Sequence, residues 1–210
     1  DGVRNFVVSS KNSLWNKLSD ANFLVVKDTL DALQKLVAHH RRKFDIPVIG
    51  ITGSNGKTIV KEWLYQLLHH DYNITRSPRS YNSQTGVPLS VWQLNESTTL
   101  GIFEAGISMP DEMENLETII HPTIGVFTKL GEAHQENFAS LQQKCNEKLE
   151  LFINSEVIIY NEDNQIISQC VENMAMSHKT FTWSLKNREN PLYIKEIKSS
   201  GDKTTIHYSF

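Results

Sequence analysis

The stretch VIGITGSNGKTIVKEWLYQLL, Val48 to Leu68, decides the fold. Its first five residues are apolar or β-branched around one glycine, the composition of a fully buried strand. Gly53 and Gly56 then interrupt the run, and apolar residues return at Val60, Trp63, Leu64, Leu67 and Leu68. That spacing is helical and predicts a helix over 57–69 with those five side chains on one inward face. A strand, a glycine loop and a helix in this order aim backbone N–H groups at an anion, and the helix N-terminus adds to the field. Lys57 brings positive charge to the terminal phosphates, and the Thr58 hydroxyl can ligate Mg²⁺. The loop departs from the common G-x-x-x-x-G-K-[ST] spacing, because Ile51 stands where the first glycine belongs. Glycine comes instead at Gly53, giving TGSNGKT. The competing reading is an ordinary strand–turn–helix with a solvated lysine.

Outward from this stretch the chain keeps alternating. TLGIFEAG (99–106), TIGVFTKLG (123–131) and EVIIYNEDN (156–164) read as buried strands. Between them lie helical patterns over 111–120, with Met113, Leu116, Ile119 and Ile120 inward, and over 141–152, through Cys145, Leu149 and Phe152. Apolar strands separated by amphipathic helices predict an α/β fold, a mostly parallel P-loop-containing sheet with helices on both faces. LYIKEI and TTIHYSF, joined by KSSGDK, add an antiparallel hairpin with Gly201 in its turn. Residues 1–44 read as two strands, 6–9 and 23–26, and a helix carrying Leu30, Leu33, Leu36 and Val37, a partial α/β domain of its own. In such sheets ligands sit beyond the carboxyl ends of the strands. The candidate polar residues fall there: after Thr52, at Glu104, around His134 and over 161–164.

With 210 residues, 39% hydrophobic and 21% charged, the chain suits a soluble globular protein. No window of eighteen apolar residues suggests a membrane span, and the first residues lack the pattern of a secretory signal. Net charge is −3, and the one basic run, HHRRK (39–43), reads as a solvated helix end rather than a nucleic-acid surface. The two cysteines, Cys145 and Cys170, form no metal or disulfide pattern, which suits a reducing cytoplasm.

TGSNGKT resembles the nucleotide loop of the Mur ligases, ATP-dependent enzymes that build the peptide of bacterial peptidoglycan. Three further stretches agree in order and spacing with the D-alanyl-D-alanine-adding branch of that family: YNSQTGVP (81–88), FEAGISMPDEMENL (103–116) and GEAHQENFASLQQKCNEKLELF (131–152). Ser83 departs from the asparagine expected at its position. The resemblance implies a ligase in which ATP phosphorylates a peptide carboxylate, and an amine captures the acyl phosphate with release of ADP and phosphate.

The same resemblance implies roles. The loop residues Gly53, Ser54, Asn55, Gly56, Lys57 and Thr58 would hold the phosphates of ATP. Thr58 and Glu104 would ligate a first Mg²⁺, and His134 a second. Lys148 would carry a CO₂-derived carbamate turned toward that second ion, its alternative being a helix lysine among surface charges. Asn82 would reach the phosphates or metals. Asn161 and Asp163 would lie near the nucleoside, or else close their strand as Asx-turn residues.

The implied substrates are UDP-N-acetylmuramoyl-tripeptide and D-alanyl-D-alanine, in the cytoplasm, with no nucleic acid and no membrane as partner. Residues 1–44 would be the end of the domain that holds the UDP-sugar peptide, and 45–210 most of the ATP-binding domain. The third domain, which closes over the site, lies outside these residues, so the chain alone is expected to be inactive. The resemblance also admits fusion to an alanine racemase. Rivals are another ligase of the superfamily, such as a folylpolyglutamate synthetase, and a P-loop nucleotide-binding module without ligase activity.

Overall fold

The structure is a computed structural model that describes residues 2–10, 15, 18, 20–131 and 135–210. Two short strands, β1 (Asn5–Val8) and β2 (Asn22–Val25), form a parallel pair with Phe6 opposite Phe23. Helix α1 (Thr29–Arg41) follows. Asp28 caps it by accepting from the N–H groups of Leu30 and Asp31, a contribution of about 1 kcal/mol.

The main sheet is assembled from β3 (Val48–Thr52), β4 (Ile74–Arg76), β5 (Leu100–Glu104), β6 (Ile124–Phe127), β7 (Val157–Asn161), β8 (Thr180–Ser184), β9 (Leu192–Ser200) and β10 (Lys203–Ser209). Their spatial order is β10-β9-β8-β7-β6-β3-β5-β4, with every neighbour parallel except the closing pair β9 and β10. Helices α2 (Lys57–Leu68), α3 (Gly86–Val91), α4 (Met113–Ile120), α5 (Leu141–Leu149) and α6 (Gln165–Asn173) connect the strands. The α/β architecture, the mostly parallel sheet and the terminal hairpin are therefore as expected. So is the inward quartet Met113, Leu116, Ile119 and Ile120, which is fully buried.

The two faces of the sheet are unequal. One face carries the large core, where Val48, Phe103, Phe127 and Ile158 meet side chains of α1, α3, α4, α5 and α6. The other carries Ile49, Ile51, Leu100 and Ile102, covered by Val60, Leu64 and Leu68 of α2. Helix α2 does not bury the face expected of it. Trp63 and Leu67 are 62% and 73% exposed, and the fully buried side chain of this helix is Lys61. A lysine can occupy that place only because it finds charged and carbonyl partners there.

In the basic run His39, Arg42 and Lys43 are exposed, as a solvated helix end requires, but Arg41 differs. Arg41 is buried, and its guanidinium donates to the carbonyls of Ile120, Phe44 and His121. It closes the carbonyl end of α4, where a cation contributes about 0.3–2 kcal/mol. Val37 and Ala38 lie in the large core, so α1 packs with the main sheet rather than with β1 and β2 alone.

Candidate active site

Parallel strands end together, and the loops after β3, β5 and β6 meet at one edge. Gly53 and Gly56 hold φ angles of +140° and +87°, a region that L side chains rarely adopt. Gly53 is also crowded, since Thr128 Oγ1 would stand 2.1 Å from a Cβ there. That threonine donates to the carbonyls of Thr52 (3.2 Å) and Asn55 (2.6 Å), pinning the glycine loop to the segment after β6. Ser54 completes the seam: its N–H donates to Lys129 O, its hydroxyl donates to Gly131 O (3.0 Å), and it accepts from Gly131 N (2.9 Å).

Lys57 opens α2 and reaches back across the loop, donating from Nζ to Gly53 O at 2.9 Å. Burial lowers its pKa, and the Glu104 carboxylate opposes that shift. Thr58, one residue on, donates from Oγ1 to Glu104 Oε2 at 3.0 Å. Alternation along β5 explains the meeting: Leu100, Ile102 and Glu104 share the face on which α2 lies. Glu104 is wholly buried, so it is no solvated strand end. Asn82 joins the pair, its Nδ2 3.4 Å from Glu104 Oε2, while Gly106 N donates to its carbonyl. A hydroxyl and an amide thus both stand within hydrogen-bond distance of one carboxylate oxygen.

Lys148, on α5, closes the cavity from the opposite side. Gly53, Ser54, Lys57, Asn82, Ser83, Gly106, Ile107, Ser108 and Lys148 line one space of about 170 Å³. Lys148 is 3% exposed and makes no hydrogen bond or ion pair among the described residues. Burial, then the charges of Lys57 and Lys144, push its pKa down to about 7. Lys144 is buried too and donates to Gly131 O at 2.6 Å. Neither lysine is among surface charges.

Asn161 and Asp163 lie elsewhere, in a neighbouring cavity of about 350 Å³ with Thr128, Lys129, Asn164, Ile167 and Trp183. Thr128 and Lys129 join this cavity to the glycine loop. Asn161 Oδ1 accepts from Asp163 N at 2.8 Å, the Asx-turn geometry. The Asp163 carboxylate accepts from the Ser184 hydroxyl (2.5 Å) and from Leu185 N (2.8 Å). His134 lies outside the described residues.

Two roles at the site escape a reading of the sequence, that of Ser83, visible there only as a departure, and that of Lys61. Ser83 accepts from Gly86 N at 3.1 Å and so starts α3, a role serine fills as well as asparagine. Lys61 stands 3.0 Å from Glu104 Oε1 and donates to Ser77 O at 2.8 Å and to Arg79 O. Its signal was its position one turn after Lys57 on the same helix. Among the described residues no group of three His, Cys, Asp or Glu side chains could hold a metal. One carboxylate and one hydroxyl beside a phosphate site nevertheless suit Mg²⁺, which binds through few protein oxygens plus substrate phosphates and water.

A strand–glycine loop–helix whose lysine lines a cavity, with a hydroxyl bonded to a buried strand-tip carboxylate behind it, is the arrangement of a P-loop α/β fold. Residues 51–210 match the family described as the Mur ligase middle domain, and the chain belongs to the Mur ligases. It is 28% identical over 184 residues to the UDP-N-acetylmuramoyl-tripeptide–D-alanyl-D-alanine ligase of Bacillus subtilis strain 168, covering 86% of this chain and 39% of that protein. The crystal structure of MurF from Acinetobacter baumannii matches with a TM-score of 0.85 at 23% identity, over 96% of this chain and 44% of that one. MurF from Thermotoga maritima, in complex with ADP, matches with a TM-score of 0.80 at 22% identity, over 99% of this chain and 53% of that one. The chain thus spans about two fifths of the length of the curated Bacillus relative. Among the described residues, no helix is long and apolar enough to cross a membrane.

Proposed function

We propose that the full-length protein is an ATP-dependent ligase that joins D-alanyl-D-alanine to UDP-N-acetylmuramoyl-tripeptide, releasing ADP and phosphate. The observation that carries this reading is the convergence of four segments, around 53–57, 82–83, 106–108 and 148, on one lysine-rich cavity at the strand ends. The named activity of the Bacillus relative and the ADP of the Thermotoga relative supply the substrates. A carboxylate is a poor electrophile at neutral pH, so phosphorylation gives it a leaving group. Attack of one anion on another needs fixed positive charge, and Lys57 provides it at the mouth of the loop.

Thr58 and Glu104 would hold one Mg²⁺, with His134 and Lys148 toward a second, and ions held there would supply positive charge beside the phosphates. Lys148 would act as a carbamate. Its amine is buried, without a partner among the described residues, and its pKa is lowered to about 7. Much of it is therefore neutral near pH 7, the form that attacks CO₂ and releases a proton to become an anion. Asn82 would orient the phosphates beside Glu104. The cavity of Asn161 and Asp163 would receive the nucleoside.

Residues 45–210 would form the ATP-binding domain and 1–44 the end of the domain for the UDP-sugar peptide, α1 joining them. A ligase acting on such UDP-linked precursors would work in the cytoplasm. The test is phosphate release by the full-length protein with mass analysis of the product. Release should need both UDP-N-acetylmuramoyl-tripeptide and D-alanyl-D-alanine, and Lys57→Ala should abolish it. Ligation of a single amino acid or of glutamate in preference to the dipeptide would replace this reading with that of a sister ligase.

A further inference from the structure

We infer that Lys61 restricts Glu104 to a single metal-facing oxygen and thereby selects Mg²⁺ over Ca²⁺. The inference rests on the reading of Thr58 and Glu104 as a divalent-ion site. The two Glu104 oxygens have different surroundings. Oε2 lies beside Thr58 Oγ1 at 3.0 Å and beside Asn82 Nδ2 at 3.4 Å, and Asn82 lines the cavity. Oε1 is turned into the protein, has no solvent access, and stands 3.0 Å from Lys61 Nζ. It accepts no well-directed hydrogen bond, because Lys61 donates to the carbonyls of Ser77 and Arg79. What holds Oε1 is charge: an ammonium with no exposed surface facing a carboxylate with none.

The ammonium is itself well fixed. Ser77 N donates to Ile102 O and Ser77 Oγ accepts from Glu104 N, so the carbonyl holding Lys61 is tied to β5 on both sides. Glu62 lies 3.2 Å from Lys61 and is also bound by Arg76. Swinging Oε1 toward an ion at the cavity would separate this buried pair and leave Lys61 with two carbonyls and the half-exposed Glu62 it shares with Arg76, which is costly in a dry interior. Glu104 therefore offers one oxygen. Mg²⁺ is satisfied by that, since it takes six oxygens in a tight octahedron and keeps waters. Ca²⁺ takes six to eight oxygens and gains from a bidentate carboxylate, which Lys61 denies it.

The experiment is displacement of Mn²⁺ from the full-length protein with ADP, followed by electron paramagnetic resonance, with Mg²⁺ and Ca²⁺ as competitors. The unaltered protein should prefer Mg²⁺. In Lys61→Met the ratio should move toward Ca²⁺ by about fivefold or more, as the carboxylate becomes free to turn. If the unaltered protein binds no Mn²⁺ with nucleotide, the reading of the site fails. If it binds Mn²⁺ but a folded Lys61→Met leaves the ratio unchanged, the inference about Lys61 fails alone. Should Lys61→Met not fold, crystals of the unaltered protein with ADP and Ca²⁺ decide. One Glu104 oxygen on the ion supports the inference, and two overturn it.

Discussion

Gly53 and Thr128 stand so close that a single added methyl on the glycine would lie 2.1 Å from the threonine hydroxyl. The hydroxyl cannot withdraw freely, because it bridges Thr52 O and Asn55 O. Gly53→Ala therefore combines a disfavoured φ with a collision, at a combined cost of about 2–4 kcal/mol. The loop should shift and nucleotide affinity fall by at least about tenfold, one decade per 1.4 kcal/mol. Titration with a fluorescent ADP analogue measures it. Adding Thr128→Ala removes the collision but not the strained φ, so the double variant should recover only part of the affinity.

A buried ion pair is expensive to break from one side. Glu104→Gln leaves the Lys61 ammonium unexposed and with only the half-exposed Glu62 as a carboxylate partner, which should cost up to about 3–5 kcal/mol. Lys61→Met alone leaves the carboxylate buried and should cost a similar amount. The double variant removes both charges and should be more stable than the sum of the single effects implies. Urea unfolding of the four proteins gives the coupling directly; simple additivity would mean that the pair is solvated in solution.

Lys148 gives stability a pH dependence of known sign. Its folded pKa of about 7 lies well below that of an exposed lysine, so between these values the unfolded chain holds a proton that the folded one has released. Stability should therefore rise with pH above about 7, by at most about 1.4 kcal/mol per unit for one group. Below pH 7 the penalty is fully present. In Lys148→Met this rise should vanish, and the variant should be the more stable protein at pH 6. Thermal unfolding in CO₂-free buffer from pH 6 to 9 compares the two. Ligase activity should move oppositely, lost in Lys148→Met and partly restored by short carboxylic acids that replace the carbamate.

Much of this site is legible in local sequence, because its phosphate loop is a contiguous strand–glycine–helix unit. The quartet on α4 and the hairpin follow from periodicity and turn chemistry for the same reason. What local pattern misses depends on contacts distant in the chain. Lys61 looks like a solvated helix lysine until Glu104, Ser77 and Arg79 are brought beside it. Trp63 and Leu67 fit an inward helical stripe, yet the sheet beneath α2 needs only Val60, Leu64 and Leu68. Helix α3 begins Gly-Val-Pro, which reads as loop, and is held by the Ser83 hydroxyl and its packing. Strand β4 has three residues, too few to show a period.

Asn161 and Asp163 share a cavity but should answer mutation differently. Both oxygens of Asp163 are taken, one by the Ser184 hydroxyl and the other by Leu185 N, so this side chain fastens the turn after β8. Desolvation raises its pKa, but those hydrogen bonds and the Lys186 charge outweigh it and hold the carboxyl below its ordinary value. The stabilisation is present above the unfolded pKa and is lost as pH falls through the lower folded one. Asp163→Asn should therefore lower thermal stability at pH 7 and flatten its loss in acid below about pH 4. Its effect on ADP affinity should stay below about threefold, under 1 kcal/mol. Asn161 differs, since Oδ1 is taken by Asp163 N while Nδ2 has no partner among the described residues. Asn161→Asp keeps the turn and replaces that donor with an acceptor, so ADP affinity should drop by about tenfold with little change in melting temperature. Calorimetric titration with ADP alongside thermal melts separates the two. The reverse pattern, with Asp163 controlling affinity and Asn161 controlling stability, would place the nucleoside on the carboxylate instead.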